Sequence, residues 1–190
     1  MTPQNARKLD PTQWLPAERL GQLDIEARMR PWLIGKGLLS VRMKDACGEK
    51  FAAHPVDQWT GLLNAEHKAC LKVGDSAGLF RDEELSSSGQ VWVFVQTVIP
   101  DSTLCVHPWL GELGDSTIGE ILSDLPRVER SSYEYAWLPA GNPLTARALH
   151  DTDLSPPGLW ARRSRILLRG LPMLSQEAFL PAMGRTPSGA

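Results

Sequence analysis

A single glutamate among apolar residues near the end of the chain is the residue best suited to proton chemistry. In MLSQEAFL, residues 173–180, the alternation of a β-strand puts Glu177 on one face with Met173 and Phe179. If that face lies inside a sheet, the carboxyl group is desolvated and suited to proton transfer or to binding a hydroxyl group. If the face is exposed, Glu177 pairs with an arginine across a hairpin, and periodicity alone favours this second interpretation.

Arg81 is the second candidate, because LFRDEEL at 79–85 lies one strand before a strongly apolar segment. An arginine on the inner face of a sheet is costly to bury unless it meets an anion. A planar carboxylate ligand would satisfy its guanidinium group bidentately. The alternative, favoured for this position taken alone, is an ion pair with Asp82, Glu83 or Glu84, or contact with water only.

Four arginines precede Glu177 in LWARRSRILLRGLPMLSQEAFLP, residues 159–181: Arg162, Arg163, Arg165 and Arg169. Strand alternation divides them between two faces, so they cannot all point inward. We expect most of them to be solvated or paired with acids.

Several other chemistries lack support in the sequence. The four histidines are scattered and the three cysteines are widely spaced, without the patterns of metal or disulfide sites, so we predict no metal. There is no glycine-rich nucleotide-binding loop. Lys+Arg of 20 against Asp+Glu of 22 gives a formal charge of −2, which argues against a general nucleic-acid or anionic membrane surface.

The start of the chain lacks the apolar core of a secretory signal, and the longest apolar run, 91–95, is too short to span a bilayer. We therefore expect a cytoplasmic protein with reduced thiols and no stable membrane insertion.

The candidate residues must be positioned by two predicted hairpins. VWVFVQTVIP at 91–100 reads as a strand that follows the turn SSSG at 86–89 and pairs with 79–85. RRSRILLRGLPMLSQEAFL at 162–180 reads as the second hairpin, turning near Gly170-Leu171-Pro172.

Short helices are expected around these strands. Proline breaks the apolar pattern of 14–43 into short pieces, and STIGEILSDL at 116–125 predicts a helix capped by Asp115 or Ser116. The class is therefore α+β with an antiparallel sheet. We expect a single domain over 14–184, between a flexible segment at 1–13 and a tail at 185–190.

Five stretches together resemble the chorismate pyruvate-lyase family, and they occur in the family's order with compatible spacing. They are WLIGKGLLSVRM (32–43), LFRDEEL (79–85), WVFVQTVIPDSTL (92–104), LGDSTIGEIL (113–122) and the segment at 159–181. The resemblance covers most of residues 14–181.

The resemblance implies a monomeric α+β protein whose sheet and helical flaps enclose an aromatic acid in an internal cavity, with no metal or organic cofactor. It implies conversion of chorismate to 4-hydroxybenzoate and pyruvate for ubiquinone synthesis. Arg81 then matches the arginine that grips the ligand carboxylate, and Glu177 matches a glutamate beside the ring oxygen. Ile118 matches a main-chain contact and Leu39 an apolar flap residue. The alternative is a non-catalytic aromatic-acid-binding module of the same fold.

Four residues depart from the family pattern, two of them adjacent. A small residue followed by arginine, near the active site, is usual where this chain has Val95-Gln96. A serine is usual at Leu38, and an apolar strand residue at Glu83. These changes bear on catalysis rather than on the fold.

Overall fold

An eight-stranded antiparallel sheet is the centre of the structure, a computed structural model that describes residues 13–22 and 24–184. Its strands are β1 (Leu15–Pro16), β2 (Phe51–Leu62), β3 (Ala77–Ser87), β4 (Gln90–Pro100), β5 (Val128–Arg130), β6 (Glu134–Pro139), β7 (Gly158–Leu168) and β8 (Leu171–Phe179). They are ordered β1-β6-β7-β8-β4-β3-β2, and β5 also pairs with β7. The predicted terminal segments lie outside the described residues, except for Gln13.

Helices cover both faces of this sheet. They are α1 (Arg30–Ile34), α2 (Leu39–Cys47), α3 (Ala65–Leu71), α4 (Asp101–Val106), α5 (Ile118–Asp124) and α6 (Pro143–Ala148). Side chains from α1, α2 and α5 pack on one face, in apolar clusters with Val95, Ile166 and Phe179. The α+β class with an antiparallel sheet is thus confirmed.

Both predicted hairpins are present, each closed by two residues with positive φ. Ser88 and Gly89 join β3 to β4, and Arg169 and Gly170 join β7 to β8. Such turns match the natural twist of the strands and fix their register. The second turn lies one residue before the predicted position, and it places Arg162 opposite Glu177.

One row of paired residues crosses four strands and holds most of the chemistry. The row runs through Glu83 on β3, Val95 on β4, Glu177 on β8 and Arg162 on β7. Because directly paired residues point to the same face, all four share the face covered by α1, α2 and α5. Neighbouring strands lie about 4.8 Å apart, so Glu83 and Glu177 are separated by about 10 Å at their Cα atoms.

Two elements differ from the expectations. Strand β2 was not predicted, because it is an edge strand with no buried residue, no long apolar run and a bulge between Pro55 and Asp57. The predicted helix over 116–125 forms as α5, but its cap is Thr117, whose side chain accepts a hydrogen bond from Glu120 N while Glu120 accepts one from Thr117 N.

Candidate active site

A small cavity lies between the sheet and the two helices α2 and α5. Its lining includes Leu39 of α2, Glu83, Val95, Ile118, Arg130 and Glu177. The volume is about 40 Å³. This space suffices for two or three water molecules but not for an aromatic ring, since ligand pockets usually measure at least about 300 Å³.

Glu177 lies at one end of this cavity and is 4% exposed. Arg162, which is 0% exposed, donates from Nε to Glu177 Oε2. Each interpretation from the sequence was therefore partly right. The glutamate is on the inner face, and it also pairs with an arginine across the hairpin.

Arg162 also ties helix α1 to the sheet. Its Nη1 donates to the carbonyl oxygens of Trp32, Leu33 and Gly35 at 3.2, 3.1 and 2.8 Å. Burial acts to lower the pKa of Arg162, but the charges around it, Glu177 foremost, outweigh burial and raise it. The guanidinium group therefore stays positively charged beneath the helix.

Arg130 supplies a second positive charge beside Glu177. Its Nη1 donates to Ser164 Oγ at 2.6 Å and lies 3.9 Å from Glu177 Oε1. Unlike Arg162, Arg130 lines the cavity. Two arginines therefore surround one glutamate at this end.

Arg81 lies behind Glu83 at the opposite wall of the cavity; it is 3% exposed, and all three nitrogens of its guanidinium group donate to protein groups. Its Nε donates to Glu83 Oε1 at 3.1 Å and its Nη1 to Gln58 Oε1 at 2.7 Å. Its Nη2 donates to the carbonyl oxygens of Gly114 and Ser116 at 2.7 and 2.8 Å. The ion pair weighed as the alternative to a ligand contact is therefore present, with Glu83 as the acid.

Glu83 connects Arg81 on β3 to the first residue of α5, Ile118. The same Oε1 atom that meets Arg81 accepts a hydrogen bond from the main-chain N–H of Ile118 at 2.8 Å. Burial raises the pKa of Glu83, while its hydrogen bonds to Ile118 and Arg81 act against the rise. One carboxylate oxygen thus occupies both donors that the family resemblance assigns to a ligand.

Comparisons with known proteins give the family. A model of the chorismate lyase family matches residues 8–185. A protein of Nitrosospira multiformis named "Probable chorismate pyruvate-lyase" is 31% identical over 94% of this chain and 97% of its own length. A protein of Pseudomonas putida with the same name is 32% identical over 90% of this chain and 89% of its own. The chain belongs to the chorismate lyase family.

Solved structures share the fold at low sequence identity. The C-terminal domain of PhnF superposes with a TM-score of 0.54 at 12% identity, over 69% of this chain and 83% of that one. A GntR-family transcriptional regulator of Bacillus cereus gives a TM-score of 0.51 at 9% identity, over 75% of this chain and 99% of that one. These likenesses concern the architecture alone.

The adjacent residues Val95 and Gln96, which depart from the chorismate lyase pattern, point to opposite faces of the sheet. Val95 and Leu38 line the cavity, with Val95 between the two glutamates. Gln96 points to the other face, where its Nε2 donates to Asp82 Oδ1 at 2.9 Å. Of this adjacent pair, only Val95 therefore shapes the cavity directly.

Arg130 and Arg162 were missed as site residues in the sequence. The arginine cluster was expected to be mostly solvated or paired with acids; Arg162 is paired with Glu177, but its complete burial was not expected. A two-residue turn at Arg169-Gly170 would have put Arg162 opposite Glu177. Strand β5, which carries Arg130, is three residues long and has no pattern that identifies it.

Among residues 13–22 and 24–184, no three His, Cys, Asp or Glu side chains are grouped so that they could hold a metal ion. No helix in this part of the chain is long and apolar enough to cross a membrane.

Proposed function

We propose that this protein is a chorismate pyruvate-lyase, which releases pyruvate from chorismate and leaves 4-hydroxybenzoate. Membership of the family and relatives of nearly equal length support the proposal. The observation that carries it is a glutamate flanked by two arginines at one end of a cavity, with a buried arginine behind Glu83 at the opposite wall. A carboxyl group for proton transfer and cationic groups for a dianion are thereby combined.

The reaction needs little from the protein beyond positioning and a proton route. Breaking the ether C–O bond releases enolpyruvate, and loss of one ring proton makes the remaining ring aromatic. The departing group leaves as the enolate, which takes up one proton at its methylene carbon and becomes pyruvate, so one proton is lost and one is gained. Aromatisation supplies the driving force, which leaves the protein to hold the dianion and exclude water.

Each polar group of the site has a role in this proposal. Arg81 and the N–H of Ile118 bind the ring carboxylate, and Leu39 covers the ring from the flap. Glu177 binds the ring hydroxyl, and its carboxylate accepts the ring proton or passes a proton to the enol. Arg130 meets the second carboxylate, that of the enolpyruvyl group.

The proposal includes the setting of the enzyme. We place it in the cytoplasm as a cofactor-free monomer over residues 14–184, supplying 4-hydroxybenzoate to ubiquinone synthesis and binding no nucleic acid. The formal charge of −2 supports the expectation that no nucleic acid is bound.

A second candidate function is binding of an aromatic acid without turnover. The observation that favours it is the Val95-Gln96 pair, where the family has a small residue followed by an arginine near the active site. In this case the protein would bind 4-hydroxybenzoate or a related acid as a module of the same fold.

Incubation with chorismate separates the two functions. Pyruvate release is followed with a coupled dehydrogenase and 4-hydroxybenzoate by chromatography, with and without EDTA. Stoichiometric formation of both products, insensitive to EDTA and lost in Glu177→Gln, supports the lyase. Binding of 4-hydroxybenzoate with no pyruvate release supports the module, and neither activity nor binding overturns both.

A further inference from the structure

Two buried hydrogen-bond donors converge on one oxygen atom of Glu83. They are Arg81 Nε at 3.1 Å and the main-chain N–H of Ile118 at 2.8 Å. Glu83 is itself 2% exposed, and its carboxylate lies at the wall of the cavity. A guanidinium N–H and a main-chain N–H aimed at a single oxygen form a binding site for a carboxylate.

This binding site does not depend on Glu83 for its shape. Arg81 is held separately by Gln58 of β2 and by the carbonyl oxygens of Gly114 and Ser116. Ile118 is held by the capping box between Thr117 and Glu120 at the start of α5. Both donors therefore keep their positions when the Glu83 side chain turns away.

We propose that Glu83 is an internal competitor, whose carboxylate occupies the anion site and must be displaced before a ligand carboxylate can bind there. The proposal deepens the proposed function, because the displaced group stands where the ring carboxylate of the substrate would lie. Glu83 then sets the affinity of this chain for aromatic carboxylates.

The size of the cavity agrees with this role. At about 40 Å³ the space holds no aromatic ring, so a ring can enter only if side chains at the wall move. Glu83 and Val95 are paired across β3 and β4, and both line the cavity. Displacing Glu83 therefore opens space and frees two donors in the same movement.

Benzoate tests the inference without requiring turnover. Its affinity is measured by calorimetry at pH 8 for the parent, Glu83→Val and Glu83→Gln. Glu84→Gln is the matched control, because Glu84 is the next residue of β3, faces the other side and pairs with His54 at 3.4 Å. Phenol, which has the ring but no carboxylate, is titrated in parallel.

We expect benzoate to bind Glu83→Val about tenfold more tightly than the parent or more, since two unpaired donors gain a charged acceptor. Glu83→Gln should give a smaller gain, because its amide oxygen remains a neutral competitor. Glu84→Gln should leave the affinity unchanged, and phenol should gain less than benzoate in Glu83→Val.

Equal benzoate affinity in the parent and both Glu83 variants would overturn the inference, as would an equal gain for phenol. If Glu83→Val does not fold, the comparison of Glu83→Gln with Glu84→Gln decides alone, with the same expected gain for benzoate. Pyruvate release is measured separately on each variant. A benzoate gain without pyruvate release upholds the role of Glu83 and counts against the lyase; release without a benzoate gain does the reverse.

Discussion

The two glutamate–arginine pairs of the cavity are built in different ways. Arg81 and Glu83 are two residues apart on one strand, whereas Arg162 and Glu177 face each other across a hairpin. At the Glu177 end two arginines surround one carboxylate, so positive charge is in excess. At the Arg81 end one arginine meets one carboxylate, and the charges cancel.

This difference matters for a ligand with two carboxylates. The Glu177 end offers a net positive charge as it stands. The Arg81 end offers a net positive charge only when Glu83 is displaced or protonated. The comparison indicates that the Arg162 pair holds the structure together, while the Arg81 pair fills a place that a ligand also needs.

The largest effect is expected from breaking the structural pair. Arg162→Met leaves the buried Glu177 with Arg130, 3.9 Å away, as its remaining cationic partner. The substitution also removes the donor to three carbonyl oxygens of the α1 region. Loss of one partner from a buried ion pair costs about 3–5 kcal/mol. Urea denaturation followed by fluorescence measures the change.

Arg165→Met is the control for that experiment, since Arg165 lies on the opposite face of β7 and is only partly buried. Its stability should fall by less than about 1 kcal/mol. Similar losses in both variants would show that the Arg162 pair has no special structural role.

Glu177→Gln tests the chemical role of the same pair. The amide keeps the size of the side chain but cannot exchange a proton, so turnover should fall by about 100-fold or more. Affinity for 4-hydroxybenzoate should change much less, because the amide can still bind a phenol. Unaltered pyruvate release across the pH range would rule out proton transfer by Glu177.

Arg81→Ala tests the pair at the other end. Binding of 4-hydroxybenzoate should weaken by about tenfold, and Arg81→Lys should restore only part of the loss because lysine lacks the planar fork. The loss should be greater in the Glu83→Val background, where Glu83 no longer competes. Calorimetry that gives the same affinity with and without Arg81 would refute the assignment of Arg81 as anchor.

The smallest expected effect is a pH dependence of ligand affinity. Burial raises the pKa of Glu83 above the ordinary glutamate value of about 4.3. As the pH falls from about 8 toward that raised pKa, Glu83 takes up a proton and competes less well for Arg81, so benzoate should bind severalfold more tightly. Benzoate is titrated into the parent and into Glu83→Gln at several pH values, and the affinity should vary less with pH in the variant.

The same pKa shift has a definite sign for stability. Because the folded-state pKa of Glu83 lies above the unfolded one, its contribution is fully present below the unfolded pKa and is lost as the pH rises through the folded pKa. The charged groups that face Glu83 are Arg81 on its own strand, Glu120 on α5, and Arg130 and Glu177 across the cavity. If benzoate affinity varied as little with pH in the parent as in Glu83→Gln, titration of Glu83 would not be the cause of the pH dependence.

The sequence predicted the inner strands and hairpins better than the edges. Strands β4 and β8 were recognisable because their patterns are long and apolar, and alternation placed Glu177 with Met173 and Phe179. Strand β2 escaped because an edge strand exposes much of its length and needs no apolar run. The pairing of Arg162 with Glu177 follows from the register of the second hairpin, but only if the turn is placed at Arg169 and Gly170.

The site was less predictable than the fold, because its polar contacts join distant segments. Glu83 was named among the acids that Arg81 could meet, yet its second bond, to Ile118 N, joins residues 35 positions apart. That contact depends on where α5 packs against β3, which no local pattern specifies. Arg130 was missed for the same reason.

The small volume of the cavity has a consequence for the rate of ligand exchange. A space of about 40 Å³ admits no aromatic ring until side chains at its wall move. Ligand capture then follows the opening frequency of the protein rather than diffusion. Benzoate and 4-hydroxybenzoate should therefore associate at nearly the same rate at saturating concentration, and should differ chiefly in how long each stays bound.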